Sequence, residues 1–165
     1  MKLQVKVKDV FTVTCYDENG KLAWRDTVKN LVVNVGLDDI LDKYLKGSGY
    51  TSAHYVGLTD GTPTVVAGDT MTSHAGWAEV TAYSEDVRQT ATWGAVSGQS
   101  VDNSASKAVF SINGAATIGG MFLTTDATKG GTSGTLYGAG AFTGGDKPVV
   151  NGYTLNVQVT ASSSG

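Results

Sequence analysis

The spacing of the apolar residues constrains this chain most, because it has period two near the start and then breaks into short runs. Val5, Val7, Phe11, Val13 and Cys15 stand between polar neighbours, the pattern of a strand with one buried face. The interruption at Asp9 and Val10 predicts a bulge or bend there. Asp17, Glu18, Asn19 and Gly20 carry turn chemistry, and Leu22, Trp24 and Val28 then resume the strand, so residues 3–29 read as a β-hairpin. From His54 onward, apolar runs at 55–58, 77–82, 89–93, 107–112, 121–124, 136–142 and 153–159 alternate with Gly, Ser, Asp and Thr clusters. Short strands with frequent turns predict a mainly β chain, an antiparallel β-sandwich or jelly-roll-like domain.

One segment departs from this pattern. Leu37, Ile40, Leu41, Tyr44 and Leu45 recur at helical offsets, which predicts one short amphipathic helix covering an opening of the β-core. Asp38 and Asp39 would sit at its positive end, Lys43 and Lys46 at its negative end, and Gly47 would be its C-cap.

The 22 glycines against 2 prolines suit tight turns, and hydrophobic residues at 41% supply a core that charged residues at 16% do not dilute. A length of 165 residues fits one domain, read as 1–160 with a flexible C-terminal tail at 161–165. Gly119 and Gly120, and the run Gly138, Ala139, Gly140, Ala141, leave little side-chain volume, which predicts bulges or close contact with another backbone or subunit. Residues 47–49, 130–134 and 144–145 are candidate loops.

Several function classes are disfavoured. A net charge of −3 argues against nucleic-acid binding. Cys15 is the single cysteine, so neither an internal disulfide nor a cysteine-rich zinc site can form. The N-terminal residues lack a signal-peptide run, and no stretch approaches the roughly 18 apolar residues of a membrane span, which predicts a soluble product of the cytoplasm.

Motifs that carry chemistry are few in this chain. His54 and His74 have no metal-ligand spacing with each other or with Asp60, Asp69 or Glu79, so hydrogen-bonded structural or interface roles are expected and no metal or other cofactor. Glu79, Glu85 and Asp86 would make a glycosidase pair only with the right separation. Asp17 to Gly20 begins like a calcium loop without its terminal carboxylate, and Lys129 precedes its glycines where a phosphate loop needs it after them. Trp77, Trp93, Tyr55 and Tyr83 suit a sugar-stacking platform or an interface hot spot, with strand packing the favoured role for each. No enzyme activity is expected.

The segment Tyr55-Val56-Gly57-Leu58-Thr59-Asp60-Gly61-Thr62-Pro63, followed by Ala67-Gly68-Asp69-Thr70-Met71-Thr72-Ser73-His74-Ala75-Gly76-Trp77, resembles small virion structural proteins of tailed bacteriophages. The similarity extends through Glu79, Tyr83, Arg88, residues 104–107, 118–123 and 138–142, and the helical stretch 36–45, and so covers most of the chain. The resemblance implies a capsid cement or decoration protein that binds the capsid surface, bridges major capsid protein subunits and forms a homo-oligomer on the particle. On that reading Gly47, Gly49, Gly130, Gly131 and Gly134 mark contact loops that order on docking. His74, Trp77 and Trp93 are interface or structural anchors, with Trp77 holding its loop to the β-core, Gly76 allowing the close turn and His74 orienting the loop. The alternatives are a tail or fibre component that binds a host receptor or glycan, and a phage glycan hydrolase.

Overall fold

The computed structural model describes residues 6–50 and 53–165, and they are mainly β. In chain order the elements are β1 (Lys6–Tyr16), β2 (Leu22–Lys29), β3 (Leu31–Val32), α1 (Asn34–Ile40), a π-helical turn (Leu41–Leu45), β4 (Tyr55–Asp60), β5 (Glu79–Val80) and β6 (Gln89–Thr90). They continue with β7 (Ser100–Asp102), β8 (Ala108–Ser111), β9 (Ala116–Thr124), β10 (Leu136–Ala141), β11 (Lys147–Val149) and β12 (Thr154–Ser164). One sheet has the order β2-β1-β12-β7, with β8 also on β12; the other has the order β3-β10-β9-β4-β5, with β11 on β9 and β6 on β4. All these pairings are antiparallel.

The two sheets form a sandwich because their inward positions are apolar. Phe11, Val13 and Cys15 of β1 and Leu155, Val157 and Val159 of β12 meet Val56 and Leu58 of β4 and Ile118, Met121 and Leu123 of β9 in one buried cluster. Each such side chain contributes about 1.5–3 kcal/mol when it leaves water. The Asp17 turn closes the first hairpin: Gly20 adopts φ +74°, and the Asp17 carboxylate accepts the amides of Asn19 and Lys21.

Three sequence expectations are corrected. The first strand has no bulge at Asp9 and Val10: β1 pairs with β12 without interruption from Lys6↔Ser164 to Tyr16↔Thr154, and its one irregularity, against β2, lies at Cys15/Tyr16. The odd-numbered positions keep one parity throughout, and Asp9 simply occupies an inward one, 5% exposed. The tail at 161–165 is not loose: residues 161–164 end β12, pairing with Asp9 back to Lys6, while Ala161 and Ser162 also pair with Val101 and Ser100 of β7. A backbone ladder needs no apolar side chains, so a serine run can occupy it.

The third correction concerns the helix. It begins at Asn34, so Asp38 and Asp39 fall beyond its first turn, which holds no acidic residue. From Leu41 the hydrogen bonding lengthens, with Lys46 N–H reaching Leu41 O at 3.1 Å, and Gly47 follows at φ +81°. Most of its predicted apolar face does not cover the core: Leu37, Leu41, Tyr44 and Leu45 are all exposed and Ile40 is half-buried, while Val35 packs on the outer cluster and Gly36 is the buried residue of α1. Gly36 packs against the Tyr137 backbone, and Val33 N–H donates to Tyr137 O.

The second sheet is buried on both faces. Along β9, Met121 and Leu123 point into the inter-sheet core while Phe122 points outward into a cluster with Val33, Met71, Trp77, Leu136 and Ala139. Gly57 pairs with Phe122 across β4 and β9, and a Cβ there would fall inside the Phe122 ring. A Cβ on Gly119 would overlap the Gly61 carbonyl, so the close approach that the glycine-rich strands allow is to the backbone of the same chain.

Candidate functional site

Two adjoining depressions lie beside α1. One is a cleft of about 410 Å³ whose walls include Asp9, Ile40, Tyr50, His54, Trp93 and Tyr137. The pleat of β1 delivers Asp9 inward, β10 supplies Tyr137, and His54 stands just before β4. His54 packs edge-on against Tyr137 (ring centroids 4.8 Å apart) and Trp93 (5.9 Å), and its Nδ1 accepts the Trp93 indole N–H at 3.3 Å. An accepting Nδ1 requires the neutral imidazole. Burial favours that form by lowering the His54 pKa, with the Asp39 charge acting in the opposite direction.

The cleft is acidic. The Tyr137 hydroxyl donates to Asp39, and burial, helped by that bond and by Asp39, raises the Tyr137 pKa. Asp9 receives one side-chain hydrogen bond, from Asn30 Nδ2 at a long 3.4 Å. Burial pushes its carboxyl up to about 6, with the Asn30 contact working against the rise. Asn30 Oδ1 is itself buried without a donor. Asp9 makes no ion pair among the described residues.

The larger depression is an apolar groove of about 600 Å³ between the helix and the ends of β1 and β12, lined by Val7, Leu37, Ile40, Leu41, Tyr44 and Leu45 with Ser163. Leu41 is 54%, Leu45 70% and Tyr44 83% exposed. Val7 and Ile40 border both depressions, so groove and cleft are continuous.

The anticipated residues are dispersed. Trp93 is in the cleft. Trp77 and His74 lie on the outer face of the second sheet, where the two rings stack at 3.8 Å and His74 Nδ1–H donates to Trp77 O at 3.0 Å. Trp77 is 7% exposed and packs on Phe122 at 5.0 Å. At Gly76 a Cβ would strike the Thr64 carbonyl. With Tyr83 fully buried as well, these aromatics make no shared sugar platform.

The loop of Gly130, Gly131 and Gly134 is tied to the body. Arg88, fully buried, donates to both Glu79 oxygens (2.9 and 2.7 Å) and to the carbonyls of Asp126 (3.0 Å) and Gly131 (2.6 Å), with its guanidinium over the Phe122 ring. Glu79 also accepts the Gly130 amide, and Lys129 caps the carbonyls of Tyr83 and Glu85. Glu79 is therefore held by Arg88, and Glu85 accepts the Ser111 amide. Gly47 and Gly49 form a separate exposed turn, in which Ser48 bonds to Asp42.

Sequence reasoning passed over Asp9, Asn30, Asp39 and Tyr137. The one available sign was a carboxylate standing at an inward position of a strand. Among the described residues no group of three or more His, Cys, Asp and Glu side chains is placed to hold a metal ion, and no helix is long and apolar enough to cross a membrane. Comparison with protein-family models gives no match, and none of the curated proteins matches the chain.

Proposed function

We propose that this chain is a structural protein of a tailed-phage virion, a capsid cement or decoration protein that docks on major capsid protein subunits through the groove beside α1. The observation that carries the reading is the outward-facing set Leu41, Tyr44 and Leu45, 54–83% exposed on a short helix. Apolar side chains grouped in a groove favour association, since an apolar segment laid there removes both surfaces from water. The resemblance around residues 55–77 supplies the virion context, and the partner is an apolar segment of the major capsid protein. Cement action then follows from linkage: a protein that binds only the assembled lattice stabilises that lattice, and several weak linked contacts reinforce one another.

Locating the chain in an electron-microscopy map of the particle tests the assignment directly. Density on the outer shell between capsid subunits is the expected result, and density confined to the tail would overturn it. The groove is tested by the double variant Leu41→Asp/Leu45→Asp. Because both side chains are already in water, its thermal unfolding should match wild type while attachment to shells lacking the protein falls at least tenfold. Undiminished attachment would remove the groove from the docking surface.

A further inference from the structure

We infer that the cleft lined by Asp9, Tyr50, His54, Trp93 and Tyr137 is a binding site for a cationic side chain, a lysine or arginine presented by a protein partner. Asp9 is buried, at 5% exposure, lines the cleft, and its carboxylate has one long hydrogen bond from Asn30. A carboxylate so placed needs donors, and the adjacent Asn30 Oδ1 needs one as well. An ammonium or guanidinium group entering the cleft carries several donors and supplies those that the Asp9 carboxylate lacks.

The walls suit the same guest. Aromatic rings stabilise a cation through their negative faces, and Tyr50, His54, Trp93 and Tyr137 line the same cleft as Asp9. The nearby charges have the right sign: Asp39, on α1, is held by Tyr137 and adds a second negative group. Lys43 lines the adjoining recess, not the cleft, and its ammonium donates to Ser48 O at 3.0 Å. A cleft of about 410 Å³ accommodates a basic side chain and part of its backbone. The hydrocarbon stem of such a residue would leave along Val7 and Ile40, the two residues shared with the apolar groove.

The inference stands apart from the capsid assignment, because a small probe reads the cleft without any particle. Titrating the full chain with n-butylammonium at pH 7.5 should give saturable shifts of the Trp93 indole N–H and His54 ring resonances. n-Butanol, of the same length without the charge, should bind at least tenfold more weakly. Asp9→Asn keeps the shape and removes the charge, and should weaken butylammonium binding at least tenfold while remaining folded by its unfolding curve. Equal response to butanol, binding undiminished in Asp9→Asn, or no response of these two side chains would each overturn the proposal. If butylammonium binds and Asp9→Asn still attaches normally to particles, the cleft stands and its role in docking falls.

Discussion

Replacing Arg88 with methionine should cost about 3–5 kcal/mol, the range for breaking a buried ion pair by removing one partner. The structure sets the magnitude at that level for two reasons. Arg88 is fully buried and Glu79 nearly so, at 9% side-chain exposure, so the orphaned carboxylate would keep only the Gly130 amide as donor. The carbonyls of Asp126 and Gly131 would lose their guanidinium donors as well. For a chain of 165 residues this corresponds to a fall in Tm of roughly 6–20 °C, at about 2–4 °C per kcal/mol.

Urea and thermal unfolding followed by circular dichroism measure the loss, and hydrogen exchange locates it. Amides in the 125–134 loop should lose protection first. The double variant Arg88→Met/Glu79→Met removes both charges and should recover most of the stability, since an apolar pair of similar volume has no charge to leave unpaired. A single variant costing under about 1 kcal/mol, or a double variant no better than the single, would refute the claim that the ion pair fixes this loop.

Asp9→Asn should stabilise the protein at pH 7 by up to about 3 kcal/mol, because a carboxyl raised from 3.8 to about 6 binds its proton more tightly folded than unfolded. The wild-type carboxyl carries no such penalty below about pH 4, where it is protonated folded and unfolded, and the penalty grows as pH rises through about 6; unfolding free energies of wild type and variant should therefore agree near pH 4 and diverge towards pH 7, and parallel curves would count against it. The groups facing Asp9, namely His54, Tyr50 and the Tyr137–Asp39 pair, are common to both proteins and cancel in the difference. Trp77→Ala should cost about 3–5 kcal/mol by denaturant unfolding, as for other buried tryptophans; unchanged stability with lost particle attachment would make it an interface residue instead. Deleting residues 161–165 should lower stability by about 2–4 kcal/mol, at about 1 kcal/mol per net hydrogen bond of the lost β12 rungs, and an unchanged Tm would return that segment to a dispensable tail.

The sandwich was legible where a buried face imposed alternation. Phe11, Val13 and Cys15 announce β1, and the residue-17 turn announces the hairpin, because period two and turn chemistry are local properties. Short strands such as β5, β6, β7 and β11 were harder: two or three residues carry no period, and their pairing is set by the long strands beside them. The outer layer was hidden for a related reason. Nothing in the apolar run at 121–124 tells which side chains face which layer, and only the packed sheet puts Phe122 under Trp77 while Met121 and Leu123 turn to the other core.

Charged residues at inward positions mark the limit of hydropathy as a guide. Around Arg88 the polarity rule is inverted: Arg88 is fully buried while Val87 is 47% exposed, because the guanidinium is satisfied by the Glu79 carboxylate, nine residues back, and by the carbonyls of residues 126 and 131, far along the chain. That charge is fully answered within the chain and belongs to the architecture. Asp9 is nearly as buried but answered by one long side-chain hydrogen bond, and it lines a cleft instead of a packed wall. An internal charge that its own fold leaves incompletely satisfied lowers stability, and asparagine would fit the same space without that penalty. The difference between the two sites is what assigns Asp9 to recognition and Arg88 to structure. A cation delivered from outside would give Asp9 what Arg88 already has.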